Sequence, residues 1–83
     1  MIQEVNFNRE QEESLASRIE DCYTEDGIET AGLEVTHVDK LDHGYRVYYT
    51  YERVDCTIAQ NRVDCTFGFD GDTNRVVDFK EIS

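Results

Sequence analysis

The spacing of the apolar residues changes partway along the chain, and this change most constrains the fold. Leu15, Ile19, Cys22 and Tyr23 lie at positions i, i+4, i+7 and i+8, which is the pattern of one side of an α-helix. Beyond residue 32, apolar and polar residues alternate, and β-branched and aromatic types become common, which is typical of half-buried strands. The sequence therefore predicts an α+β fold in which one N-terminal helix precedes a sheet.

The helix is predicted to run from Asn8 to about Glu25. Asn8 is a suitable N-cap, and Gln11 stands three positions later, as in a capping box. Gly27 can end the helix because glycine readily adopts the left-handed conformation that follows a last turn. At about 100° per residue, one group of carboxylates falls opposite the apolar stripe. The group is the candidate partner-binding ridge, formed by Glu10, Glu13, Glu20 and Asp21.

Four strands are predicted to follow the helix as an antiparallel meander, giving the order αββββ in a single domain over residues 1–83. In the first strand, Leu33, Val35 and His37 share one face, and residues 40–44 form a turn before a strand that starts at Tyr45. The last strand is predicted over residues 75–82, with Val77 and Phe79 on one side.

A repeated pentapeptide, Arg-Val-Asp-Cys-Thr, occupies residues 53–57 and 62–66. A two-residue turn at Gln60 and Asn61 would place Cys56 opposite Cys65 and bring the apolar residues of both copies to one face. The sequence therefore predicts a hairpin between the two copies.

Tyrosines recur in the preceding strand, and the sequence leaves their environment open. Tyr45, Tyr49 and Tyr51 stand at odd positions, whereas the apolar residues from Val54 to Ile58 stand at even ones. A bulge near residues 52–53 would turn both groups toward the core. Without a bulge, the three tyrosines form an exposed stripe suited to binding a partner.

The acidic composition excludes several classes of function. The chain has 19 acidic and 8 basic residues, a net charge of −11, which repels nucleic-acid backbones and anionic membranes and favours a basic protein partner. No apolar window approaches the length of a membrane span, and the first residues do not resemble a leader peptide, so a cytoplasmic location is expected. A chain of 83 residues without a catalytic motif is expected to be neither an enzyme nor a cofactor carrier.

The sequence offers candidate calcium, zinc and disulfide sites, and each has a simpler interpretation. The spacing of an EF-hand calcium loop is matched at its ligand positions by Asp70, Asp72, Asn74, Asp78 and Glu81. Arg75 replaces the glycine that such a loop needs, and the flanks look like strands, so a turn is favoured over calcium. Three cysteines at wide spacing favour reduced thiols over zinc, with a Cys56–Cys65 disulfide as the alternative.

Neighbouring carboxylates on the helix ridge would lie about 5–6 Å apart, comparable to phosphates along a nucleic-acid strand. On this basis, and in length and acidity, the chain resembles small acidic phage-encoded inhibitors, which include DNA mimics and anti-CRISPR proteins. The resemblance implies a non-catalytic inhibitor of a nucleic-acid-processing partner. The αββββ order also resembles cystatin-like and PepSY-like domains. An accessory domain adapted to the cytoplasm of a halophilic organism is the alternative, and homodimer formation is left open.

Overall fold

A computed structural model describes residues 3–82 of the chain. Its elements are β1 (Gln3–Glu4), α1 (Arg9–Glu25), β2 (Ala31–Leu41), β3 (Gly44–Glu52), β4 (Ile58–Phe69) and β5 (Val76–Glu81). The strands form one antiparallel sheet whose spatial order follows the chain order. The predicted combination of a helix with an antiparallel sheet is confirmed. The expected number of strands was one too low, because the short β1 precedes the helix and pairs with β2.

Helix α1 begins and ends where its local sequence predicts. The Asn8 side chain accepts a hydrogen bond from the Gln11 N–H at 2.8 Å, and the Gln11 side chain accepts one from the Asn8 N–H at 3.0 Å. This reciprocal capping box satisfies N–H groups that have no partner inside the helix. At the other end, Gly27 adopts a φ of +75°, which lets the chain leave the helix axis without a Cβ clash.

The core lies between α1 and one face of the sheet. It consists mainly of Leu15, Ala16, Ile19, Leu33, Val38, Val47, Tyr49 and Cys65. Leu15 and Val47 are fully buried, and each such aliphatic side chain contributes about 1.5–3 kcal/mol by leaving water. Because side chains alternate along a strand, Arg46 and Asp64 lie on the other face, where they are joined by hydrogen bonds of 2.8 and 3.0 Å.

Strand β2 departs from the predicted alternation. Its pairing with β3 shifts register between Val35 and His37, as in a β-bulge. Val38 therefore faces the core, while His37 lies on the other face and contacts Glu4 at 3.0 Å and Asp39 at 2.6 Å. The prediction that Leu33, Val35 and His37 share one face is wrong at His37.

The predicted hairpin between the two pentapeptides does not form. Strand β3 pairs with β4 in unbroken register, from Tyr45 opposite Cys65 to Glu52 opposite Ile58. Gln60 and Asn61 therefore lie within β4, and the chain instead reverses direction in residues 53–57. Strand β4 therefore pairs with β3 along most of its length, whereas the predicted hairpin would have divided β4 at Gln60 and Asn61 into two shorter strands.

The end of β3 at Glu52 decides the environment of the tyrosines. Tyr49 is only 5% exposed, and Tyr45 and Tyr51 are half-buried against the core, so the three do not form an exposed stripe. The predicted bulge near residues 52–53 is not what brings them inward, since the chain simply leaves the sheet there. Consequently Val54 and Ile58 do not join the core and are 77% and 62% exposed.

Strand β5 also contains an irregularity. Its register with β4 shifts between Thr66 and Gly68, and Asp78 adopts a left-handed φ of +55°. The shift turns both Val76 and Phe79 toward the core and leaves Val77 41% exposed. The prediction that Val77 and Phe79 share a face is wrong for this reason.

Candidate acidic binding face

The outer face of α1 carries the predicted ridge of carboxylates. The structure places Glu10, Glu13 and Asp21 in exposed positions, and Glu20 is half-buried. Residues 9–26 contain seven acidic and two basic side chains, so the helix has a strong negative charge. The helix period positions these groups, because the stripe of Leu15 and Ile19 fixes the opposite face against the sheet.

The two arginines of α1 neutralise only part of this face. Arg9 pairs with Glu13 at 2.9 Å, in an exposed i, i+4 ion pair. Such pairs contribute about 0.3–0.5 kcal/mol. Arg18 is directed toward the sheet, with its guanidinium 5.0 Å from the centre of the Phe79 ring and a hydrogen bond to the Cys22 sulfur at 3.3 Å. Among residues 3–82, no basic side chain forms an ion pair with Glu20 or Asp21.

A groove of about 530 Å³ runs beside this face, between α1 and the turn that joins β4 to β5. Glu10, Ser17 and Asp21 line the helix wall, and Asn74 and Arg75 line the opposite wall. The two walls are joined by a hydrogen bond from the Asn74 side chain to Glu10 at 3.0 Å. A partner that binds the acidic face would therefore also meet the exposed guanidinium of Arg75.

The turn itself is held by the side chain of Asp70. One Asp70 carboxylate oxygen accepts hydrogen bonds from the N–H groups of Asp72 at 2.8 Å and Thr73 at 3.1 Å. These donors stabilise the charged carboxylate and lower the pKa of Asp70. The turn that the sequence favours over a calcium loop is thus present after Asp70, and Asp70 has a structural role in it.

The residues that match an EF-hand do not form such a loop. Asp78 and Glu81 belong to strand β5, whereas Asp70 and Asp72 lie in the preceding turn. Over residues 3–82, no group of three or more His, Cys, Asp or Glu side chains is placed to hold a metal ion. The calcium alternative therefore has no support in the geometry.

The predicted tyrosine site lies beneath the helix and is separate from the acidic face. The hydroxyl groups of Tyr23 and Tyr49 are 2.6 Å apart, and the Tyr23 and Tyr51 rings lie 5.1 Å apart. Burial raises the pKa of Tyr49 above its ordinary value, and the hydrogen bond with Tyr23 raises it further. Tyr45 packs against Phe7 and Phe67 at the other end of the core. Tyr49 and Tyr51 therefore join the sheet to Tyr23 of the helix, whereas Tyr45 belongs to a separate aromatic cluster.

The cysteines occupy three different environments, and all are free thiols. Cys65 is fully buried, Cys22 is half-buried, and Cys56 is exposed in the loop between β3 and β4. Since Cys56 and Cys65 do not lie on paired positions, the disulfide alternative is wrong. Burial raises the pKa of the Cys65 thiol to about 12.

No family model, curated protein or solved structure matches the chain. Within residues 3–82, the structure has no helix that is both long and apolar enough to cross a membrane.

Proposed function

We propose that this protein is a non-catalytic acidic binding protein that occupies a basic, nucleic-acid-binding surface of a partner through the outer face of α1. The observation that carries the proposal is the cluster of carboxylates on that face, three of them exposed and one half-buried, where Glu20 and Asp21 form no ion pair among residues 3–82. Such a face attracts the arginine and lysine side chains that contact phosphates in a nucleic-acid-binding protein.

The distribution of charge supports this proposal. Most of the exposed cations lie away from the helix ridge, with Lys40, Arg62 and Lys80 on β2, β4 and β5 and Arg53 in the loop before β4. Arg46 is paired with Asp64 by two hydrogen bonds, which lower the pKa of that carboxyl. The protein therefore presents an acidic side and a side of mixed charge, and a partner with a basic surface would be oriented by this difference.

In biological terms, we assign the protein to the inhibitors of defence or nucleic-acid-processing systems, the anti-CRISPR proteins among them. A protein that mimics the charge of a nucleic acid blocks its target by competing for the same surface. No catalytic group, cofactor or direct contact with nucleic acid is needed for that role. We also predict a cytoplasmic location, where a defence or nucleic-acid-processing target would be found.

The experiment compares two variants with equal changes in net charge. In the first, Glu13, Glu20 and Asp21 on the helix ridge are replaced by lysine. In the control, Glu29, Asp42 and Glu52, which are exposed but lie off the helix, are replaced by lysine. Partners are captured from lysate, identified by mass spectrometry, and their affinities for the wild type and both variants are then measured.

We expect the ridge variant to lose at least about tenfold in affinity and the control to lose much less, because of the six substituted residues only those on the ridge belong to the proposed contact surface. Binding of the wild type should weaken steeply with salt, and DNA or RNA should displace the protein from the captured partner. Equal affinity of the ridge variant and the wild type would rule out the proposed mechanism.

A second candidate, an accessory domain adapted to high salt, is favoured by one observation. The chain has only two lysines among its 8 basic residues, against 19 acidic ones. A surface rich in carboxylates and poor in lysine keeps a protein hydrated in concentrated salt without recognising any partner. The two candidates differ in how folding depends on salt.

A further inference from the structure

The outer edge of β4 has no neighbouring strand from Ile58 to Arg62, as far as residues 3–82 show. Strand β5 pairs with β4 only from Cys65 onward, and one further hydrogen bond joins the Ile82 N–H to the Asp64 carbonyl at 2.8 Å. On its other side, β4 is paired with β3 without any register shift over this range. This part of the edge is therefore straight and regular, unlike the bulged strands β2 and β5.

The backbone groups that this edge presents follow from the alternation of an antiparallel strand. Because the Asp64 carbonyl faces β5, the N–H and C=O groups of Ile58, Gln60 and Arg62 face the same side. One contact supports this assignment, since the Arg62 N–H donates to the Asn61 side chain at 2.8 Å instead of to a strand, and an added strand would replace this local bond. Regular edges with unpaired backbone groups readily add a further strand.

A pocket of about 280 Å³ adjoins the edge on the inner side, between β4 and the second half of α1. Ile19, Val63 and Phe79 give it apolar walls. Asp26 and Glu81 supply two carboxylates, whereas Arg62, which also lines the pocket, stands at a position that faces the uncovered side of the sheet, so the pocket is apolar in its body and negative overall. An arginine or lysine side chain has the matching chemistry, because its aliphatic stem packs on apolar groups while its charged head pairs with carboxylates.

We propose that the free edge of β4 binds an extended, basic segment of a partner protein by strand addition, with one arginine or lysine side chain entering the adjoining pocket. The backbone of the segment would pair with Ile58, Gln60 and Arg62, and the pocket would select the side chain. This inference rests on the proposed function for the basic character of the partner, but it assigns a separate surface. Pairing of this edge with a second copy is disfavoured, since two chains of charge −11 repel each other.

The probe is a short blocked peptide with the sequence threonine-valine-arginine-valine-threonine, titrated into ¹⁵N-labelled protein. We expect chemical-shift changes and slower hydrogen exchange at the amides of Ile58, Gln60 and Arg62. A peptide with glutamate in place of arginine serves as the control and should bind at least about tenfold more weakly. The absence of shifts at these amides at about 1 mM arginine peptide would overturn the proposal.

A substitution on the edge gives a second test. Gln60→Pro removes an N–H that faces the free edge and leaves the hydrogen bonds to β3 in place, because proline is tolerated on edge strands. Binding of the peptide should fall at least about tenfold, whereas Gln60→Thr should retain it. Thermal melts confirm that each variant is folded.

Should Gln60→Pro prevent folding, N-methylated peptides supply the same information. A peptide added as a strand directs alternate N–H groups toward β4. Methylation of those groups should therefore abolish binding, and methylation of the intervening groups should not. Equal binding of the two methylated peptides would overturn strand addition.

The lysine substitutions at Glu13, Glu20 and Asp21 separate this inference from the proposed function. The short peptide should bind that variant as well as it binds the wild type, because the ridge lies outside the pocket. If partner capture survives the ridge substitutions while the peptide still binds the β4 edge, the proposed function fails and the edge site stands. Peptide shifts confined to α1 would instead overturn the edge site and favour the acidic ridge as the binding surface.

Discussion

At the scale of single residues, the two copies of the pentapeptide show that identical sequence adopts two conformations here. In the copy at 53–57 the chain reverses, with the Arg53 N–H bonded to the Thr57 carbonyl at 2.8 Å and Cys56 at a left-handed φ of +67°. In the copy at 62–66, all residues lie in β4, and Cys65 is fully buried. Strand pairing, and not local propensity, distinguishes the two copies.

The same substitution should therefore have opposite effects in the two copies. Cys56→Gly is expected to raise the free energy of unfolding by about 0.5–1 kcal/mol, because relief of left-handed strain exceeds the added freedom of the unfolded chain. Cys65→Gly should lower it by about 2–4 kcal/mol through a cavity in the core and a more flexible strand. Urea unfolding measures both values, and changes of the same sign would contradict the assigned conformations.

The buried thiol also makes stability depend on pH. Burial raises the pKa of Cys65 from an ordinary value of 9.0 to about 12 in the folded protein, because the thiolate is poorly solvated there. The stability that the buried neutral thiol contributes is therefore fully present below pH 9.0. It is lost as the pH rises from 9.0 to about 12, because over this range the Cys65 thiol is ionised mainly in the unfolded chain.

Urea unfolding across this pH range tests the prediction. Cys65→Ala should reduce the alkaline loss of stability, and Cys56→Ala should leave it unchanged because that thiol is exposed. Burial also raises the pKa of Cys22, Tyr23 and Tyr49, and these groups account for the part that persists in both variants. Identical pH dependence in the wild type and Cys65→Ala would contradict this assignment.

At the scale of secondary-structure elements, the helix could be predicted to within a residue, whereas strand pairing could not. The signals that start α1, Asn8 and Gln11, lie within four positions of each other and act on the adjacent backbone. The partner of β4, in contrast, is decided by competition between β3 and the preceding pentapeptide. Alternation of apolar residues describes a face of each strand but does not specify which strand lies beside it.

The bulges of β2 and β5 could not be predicted from the sequence either, because they also depend on contacts between elements that lie apart in the chain. Each bulge allows two residues that do not alternate to face the core, Val35 with Val38 and Val76 with Phe79. Only the fit of these side chains against α1 makes a bulge preferable to a regular strand. Sequence periodicity therefore predicts that strands exist here and misassigns particular side chains.

The candidate site was predictable to the extent that it depends on the helix. The helical period alone placed the carboxylates of the ridge, such as Glu13 and Asp21, opposite the core. The opposite wall of the groove was missed, because Asn74 and Arg75 reach α1 only through the folding of the whole sheet. The free edge of β4 was missed because Gln60 and Asn61 looked like a turn.

At the scale of the whole molecule, the asymmetry of charge bears on the choice between the two candidate functions. The helix carries seven acidic and two basic residues over positions 9–26, whereas the uncovered sheet face contains the Arg46–Asp64 pair and the exposed side chains of Arg62 and Lys80. Adaptation to concentrated salt requires hydration of all surfaces and gives no reason for such a division. Recognition of a basic surface does give one.

The last prediction concerns how stability depends on salt. Salt at about 0.1 M already screens much of the repulsion among the ridge carboxylates, since the Debye length there is about 10 Å. For a binding protein we therefore expect a folded state at low ionic strength and a melting temperature that rises modestly up to about 0.2 M salt before it levels off. Binding to the partner should weaken over the same range, because the same charges are screened in both processes.

A domain adapted to high salt would behave differently, since it would be unfolded at low ionic strength and would gain stability up to molar concentrations. The ridge variant with lysine at Glu13, Glu20 and Asp21 separates a local effect from a general one. Because the repelling charges are removed, its melting temperature should respond less to the first additions of salt than that of the matched control. A melting curve of the wild type that requires molar salt would contradict the binding protein and favour the accessory domain, whatever the behaviour of the variants.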